Sequence, residues 1–325
     1  MTLNKKIGFV VVSSLAIVSA AQAEDGFKAG GFVDPQLQYT QGVGASAVMN
    51  DGAIYMSKSL GDGTATIDLA FGDFQFSKFV GLAIPGGNVS ISEGLFGTTA
   101  TAKSQAFVAY KYSNGFNWKF GQFDGIFGFE RNDTVDSLFS AQGGVFTLQP
   151  KVHQALLVGY ELSKSLGVQA YVGGSDGSGL ARTTGSGNPQ IGAKVSFIDA
   201  FRLGVGGYME TGRDAAEAEA GTMFLNATAG MNFGDISLDA EYSMDNSGVD
   251  GVDATTGVGV YAGYTMGDNK IMARWTSVGD VMGITVGPNF GMTKDLAVKI
   301  NVNYDINSAT EVNTAALAVA TTYRF

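Results

Sequence analysis

The chain has no cysteine in 325 residues, a single histidine, five prolines and no apolar stretch approaching the roughly 18 residues that a membrane-crossing helix requires. Each absence removes a class of protein. Without cysteine there is no disulfide framework, no thiolate metal site and no lipid-modified cysteine anchor. With His153 alone, a two-histidine metal centre and the metalloprotease helix are excluded. Basic residues are few, 20 against 30 acidic for a net charge of −10, so nucleic acid is not an expected partner. Gly257-Val258-Gly259 lies inside an alternating segment and opens no helix, so it is not a dinucleotide loop. The sequence implies no cofactor.

What the chain has in quantity is glycine, 47 residues, with 11% aromatics and hydrophobic residues that never form a long block. That composition reads as many short strands joined by glycine-rich turns. At the start, Lys5 and Lys6 precede an apolar run from Ile7 to Ser19, and Ala21-Gln22-Ala23 supplies small residues for cleavage. Residues 1–23 are therefore expected to be a signal peptide, leaving 24–325 as one domain of net charge −12 once Lys5 and Lys6 are gone.

Period-two alternation is clearest in 64–72, 190–197, 201–210, 223–233, 236–244, 296–305 and 313–325, and weaker near 27–40, 46–58, 104–113, 116–124, 151–161, 167–174, 256–265, 270–278 and 281–290. This predicts sixteen strands, with fourteen the nearest alternative. In the closing segment, Ala315, Leu317, Val319, Thr321, Tyr323 and Phe325 share one face. The charged strand residues, among them Lys28, Asp34, Lys111, Lys119, Arg202, Glu241, Arg274, Lys299 and Arg324, fall on the parity opposite the apolar ladders. One face is closed to charge. A soluble sandwich alternates too. Aromatic residues, however, gather at both sets of strand ends, and tight turns such as Gly234-Asp235 alternate with long polar connections at 175–189, 211–221 and 246–255. Together these predict an all-β fold, a transmembrane antiparallel β-barrel in the outer membrane of a Gram-negative bacterium, touching lipid and lipopolysaccharide.

The segment Gly125 to Pro150 alternates poorly and carries Glu130, Arg131, Asp133 and Asp136 among Phe127, Phe129, Leu138 and Phe139. Sixteen strands with a long acidic loop after the fifth resemble the general-diffusion porins, in which that loop folds inward and narrows the lumen. More specifically, Lys119-Phe120-Gly121-Gln122-Phe123 running into Gly128-Phe129-Glu130, then Pro150-Lys151-Val152-His153, resembles the OmpL-like β-barrel porins, and Ser59-Leu60-Gly61-Asp62-Gly63 fits that family's first turn. Gln154 departs from it, standing where glycine is expected. The resemblance implies passive permeation of small hydrophilic solutes and ions, no enzymatic activity and no particular substrate. It also implies that Tyr323 and Phe325 serve as the assembly signal for the insertion machinery. A homotrimer is one assembly open to such a barrel.

Three function classes follow. A porin places the acidic residues Glu130, Asp133 and Asp136, with Arg131, at a constriction facing Lys111, Lys119, Arg274 or Lys299, and an excess of carboxylates there predicts weak cation preference. An outer-membrane hydrolase needs Ser137, Ser140 or Asp136 gathered around His153 at the barrel rim. A structural or adhesive barrel predicts a lumen plugged by side chains. The alternative to an inward loop is a flap lying over the mouth.

Overall fold

The structure is a computed structural model, and it describes residues 27–41, 44–60, 63–75, 105–131, 137, 139–175, 190–210, 223–246 and 253–324. The signal segment 1–23, Asp133, Asp136, Phe325 and most of the connection at 73–103 lie outside the described residues. The described residues form sixteen strands. The first eight are β1 (Phe27–Thr40), β2 (Gly44–Leu60), β3 (Gly63–Gln75), β4 (Gln105–Tyr112), β5 (Phe116–Asp124), β6 (Val152–Glu161), β7 (Leu166–Ser175) and β8 (Gln190–Ile198). They continue as β9 (Phe201–Glu210), β10 (Met223–Phe233), β11 (Ile236–Asn246), β12 (Thr255–Met266), β13 (Asn269–Val278), β14 (Val281–Gly291), β15 (Leu296–Asn307) and β16 (Val312–Arg324).

Each strand pairs antiparallel with its sequence neighbours, and β1 pairs with β16 to close the barrel. Closure leaves no unpaired edge, the condition for strands to cross hydrocarbon. The turns follow from glycine chemistry. Gly234-Asp235, Gly267-Asp268 and Gly279-Asp280 each open with a glycine at φ 58°, 61° and 52°, the left-handed region a two-residue hairpin needs at its first position. Connections 61–62, 113–115, 162–165, 199–200, 234–235, 267–268 and 292–295 gather at one end; the long ones, 76–104, 125–151, 176–189, 211–222 and 247–254, all leave the other.

The burial is inside out relative to a soluble protein. Val205, Phe120 and Leu37 are more than 60% exposed, whereas Asp34 and Ser243 are fully buried. Along β11, Leu238, Ala240 and Tyr242 point outward while Asp239, Glu241, Ser243 and Asp245 are buried. That arrangement suits an apolar solvent outside and a polar interior.

Candidate pore constriction

The connection between β5 and β6 is tied at its neck by the Gly125 amide, which donates to the Lys151 carbonyl at 2.8 Å. Beyond the neck it is rich in aromatics, and these drive it against the wall. Phe127, Phe139, Val145, Phe146 and Leu148 are buried, and a short 3₁₀ helix spans Gly144–Leu148. Phe127 packs on inward-facing aromatics from four strands: its ring centroid lies 5.3 Å from Phe224, 6.2 Å from Tyr208, 6.3 Å from Tyr171 and 5.9 Å from His153. Phe129 lies 4.4 Å from Tyr261. Aromatic pairs of this kind contribute about 0.5–1.5 kcal/mol each beyond the area they bury.

Hydrogen bonds then fix the orientation. Lys194 of β8 donates to the Ile126 carbonyl at 2.6 Å, and the Gly128 amide donates to Asn226 Oδ1 of β10 at 3.0 Å. Glu241 of β11 accepts from the Phe129 amide at 3.1 Å, from Gln149 Nε2 at 2.5 Å and from Tyr261 Oη at 3.2 Å. On β15, Asn301 Oδ1 accepts from the Ser140 amide at 2.6 Å, and Lys299 donates to the Ser137 carbonyl at 2.8 Å. In a ring of sixteen, β13 stands opposite β5, where the segment begins.

At β13 the segment meets its strongest tether. Arg274 Nη1 lies 2.5 Å from Glu130 Oε1, with the two side chains only 4% and 3% exposed. The guanidinium also donates to the Ala141 carbonyl at 2.9 Å and to Thr285 Oγ1 at 2.7 Å, and it lies 4.5 Å from the centre of the Phe139 ring. The second oxygen of Glu130 accepts from the Gly143 amide at 2.6 Å. Gly143 must be glycine for this approach, because a Cβ there would come within 2.9 Å of Arg274 Nε. A pair so far from water holds only because its remaining donors and acceptors are met.

The residues singled out in the sequence fall into separate environments. Glu130 and Arg274 are in direct contact rather than facing one another across open water, and Lys299 holds a carbonyl of the same segment. Arg131 is exposed, its carbonyl accepting from Gln142 Nε2 at 3.5 Å. Lys119 points inward, 4.2 Å above the Phe107 ring and 5.2 Å from that of Phe123. Lys111 sits beside the 113–115 turn and pairs with Glu161 of β6 at 2.5 Å, both largely exposed, at the end of the barrel away from the long connections. Tyr323 is half-buried on β16. His153 is fully buried between Phe123, Phe127 and Tyr171, and neither ring nitrogen has a hydrogen-bond partner among the described residues. Sequence reasoning missed the tethers Asn226, Asn301 and Lys194 and the aromatic floor of Tyr171, Tyr208, Phe224 and Tyr261. Its available signal was aromatic residues standing on the charge-bearing parity.

A closed sixteen-stranded antiparallel barrel with an apolar outer wall, a polar inner wall and a long connection packed on that inner wall is a transmembrane β-barrel of the porin class. The chain belongs to the family described as "Putative beta-barrel porin-2, OmpL-like", whose sequence profile matches residues 23–274. No curated protein sequence matches it. Among solved structures it is similar to an anion-selective porin from Comamonas acidovorans, with TM-score 0.64, 14% identity and coverage of 93% of this chain and 100% of that one. It is also similar to the outer membrane channel DcaP of Acinetobacter baumannii, with TM-score 0.63, 14% identity and 93% and 99% coverage. A third similar structure is the trimer form of OmpT, an outer membrane protein of Vibrio cholerae, with TM-score 0.59, 12% identity and 92% and 99% coverage. At these identities the likeness is one of fold.

Proposed function

We propose that this protein is a passive channel for small hydrophilic solutes and ions, and that residues 125–150 narrow its lumen. The observation that carries the reading is the set of tethers from that segment to β8, β10, β11, β13 and β15 on the polar inner wall. A barrel of sixteen strands is too wide for wall side chains to fill, so a segment held against one arc leaves a water path along the other. We place that path between the segment and the arc from β16 through β1 to β4. A structural, plugged barrel has no need of a polar inner wall tethered on one side. Among the described residues nothing supports the hydrolase reading: neither ring nitrogen of His153 has a hydrogen-bond partner, and the Ser140 hydroxyl donates to Asn301 at 2.5 Å.

The same reading makes residues 1–23 a cleaved signal. It sets the barrel in a Gram-negative outer membrane, in contact with lipid and lipopolysaccharide. Tyr323 and Phe325 form the signal read by the insertion machinery. Self-association is part of it too, since one protein of the same fold is described as a trimer form.

Selectivity depends on which charges remain unmatched. The fold does not set the sign, because the Comamonas porin is anion-selective. Glu130 is neutralised locally by Arg274, so Asp133 and Asp136 carry the acidic excess that we propose lines the narrowing. The Asp133→Asn, Asp136→Asn double variant is expected to keep the parental fold and shift the reversal potential in a salt gradient toward anions. The difference should shrink as salt approaches 1 M, where the screening length is about 3 Å. An unchanged reversal potential at low salt would place these residues away from the conducting path.

A further inference from the structure

The inward-facing charges of the strands are sorted by height, and distance from the short turns measures that height. Lys111, Arg202 and Lys270 stand two residues from their turns, and Lys28 and Arg324 lie at the matching ends of β1 and β16. A level deeper, four or five residues from the turns, come Lys119, Lys194 and Lys299. Among the inward residues of this zone whose side chains are described, only Glu161 and Asp239 oppose these eight, and they pair with Lys111 and Arg202. Lys194 and Lys299 each donate to a neutral carbonyl of the 125–150 segment, which leaves their charge in place.

Toward the long connections the sign reverses. Glu241 lies six residues from its turn, and Glu210, Asp245 and Asp305 lie ten. Arg274, also six residues up, is matched by Glu130, and beyond it the described inward-facing strand residues include no basic one. Arg131 and Lys151 at that end belong to the connection between β5 and β6 and not to the wall. Asp34 sits near mid-depth on β1, accepting from Thr322 Oγ1 at 3.0 Å. At roughly 3.3 Å per residue and a strand tilt of about 40°, five residues rise about 13 Å and ten about 25 Å. The lumen wall is thus two zones in series, basic toward the short turns and acidic toward the long connections.

Fixed charge lining a narrow water path gathers mobile ions of the opposite sign. Cations therefore carry the current through the acidic zone and anions through the basic one. A voltage positive on the long-connection side drives both toward the junction of the zones, where they accumulate and conduction rises. The opposite voltage draws both away and depletes the junction. We infer that the channel rectifies, passing more ionic current when the end bearing the long connections is positive. Arg324, Lys28 and Lys111 stand on β16, β1 and β4, along the water path proposed above, and Asp305 stands beside it on β15. The inference rests on that channel reading and adds a direction to it. It holds at low salt, because the screening length is about 10 Å at 0.1 M and reaches into the lumen, whereas at 1 M it is about 3 Å and stays at the wall.

Single-channel current–voltage curves of the refolded protein test it. A Thr310→Cys background, in the 308–311 turn at the long-connection end, gives the orientation of each channel when a bulky impermeant thiol reagent is added to one chamber. At equal voltages of opposite sign in about 0.1 M salt, the current with the long-connection side positive is expected to be about twice the other, the ratio falling toward one near 1 M. Lys28, Lys270 and Arg324 are exposed, and reversing them together (Lys28→Glu, Lys270→Glu, Arg324→Glu) leaves five basic residues against five acidic in the lower zone. That variant should conduct with a ratio near one. Lys164→Gln with Lys294→Gln, changed on the turns and not on the wall, should keep the parental ratio. Heat-modifiable migration confirms folding; should the triple variant not fold, Lys28→Glu with Lys270→Glu replaces it, with a smaller fall in the ratio. Equal currents in low salt, a larger current at the other polarity, or a triple variant that rectifies like the parent would overturn the inference and leave the channel reading standing. A folded protein that passes no current would overturn both.

Discussion

Arg274→Ala should raise the single-channel conductance and make the open state noisy, while the barrel still assembles. The substitution removes the cation from a carboxylate that is 3% exposed, together with the bonds to Ala141 and Thr285. Breaking a buried ion pair from one side costs about 3–5 kcal/mol, because the partner charge is left unmatched in a poorly solvated place. The segment 125–150 can relieve that cost by leaving the wall, since its neck at Gly125 and Lys151 does not depend on Arg274. The strands cannot, and have no reason to: every ladder bond remains. The variant is therefore expected to be heat-modifiable like the parent, with the effect confined to conductance. Combining it with Glu130→Gln should restore part of the parental behaviour, giving a clear coupling between the two sites in a double-mutant cycle. Additive effects, or a parental conductance in the single variant, would show that this pair does not hold the segment in place.

The second large effect concerns the medium. Ala229 and Thr228 are adjacent on β10, the first facing outward and the second inward, opposite Glu241 in register. Arginine at position 229 must lie in hydrocarbon, at a cost of about 2–4 kcal/mol near mid-depth. At 228 it enters a polar lumen beside a carboxylate. Ala229→Arg should sharply lower the folded fraction in refolding followed by urea titration in lipid vesicles, and Thr228→Arg should stay near the parent. Equal sensitivity at both positions would mean that the outer wall does not face lipid.

The barrel was legible in the sequence because lipid imposes a rule on every strand. Charges such as Arg202, Glu241 and Arg274 had to avoid one parity, and Gly-Asp pairs had to mark the turns, so local pattern alone gave the strand positions and the pairing of neighbours. The closure of β1 on β16 follows from the same requirement that no edge remain. The site was less legible. Glu130 and Arg274 are 144 residues apart, and parity shows that Arg274 points inward but not what crosses the lumen to meet it. Lys111 also points inward, yet it belongs to the turn end, where Glu161 is the nearer carboxylate. Distance along the strand from the turn separates the two, and parity carries no such measure. Tyr171, Tyr208 and Phe224 broke the polar pattern of the inner face, and each breach marks a place where Phe127 docks. Departures from the alternation thus mark the contacts that the alternation itself cannot supply.

The central claim is that a water path runs the length of this barrel beside residues 125–150. Conductance of the refolded protein in planar lipid bilayers tests it most directly. Discrete, long-lived steps that scale with salt and need no energy source are the predicted result. Heat-modifiable, correctly inserted protein that passes no current would contradict the account and leave a sealed barrel in its place.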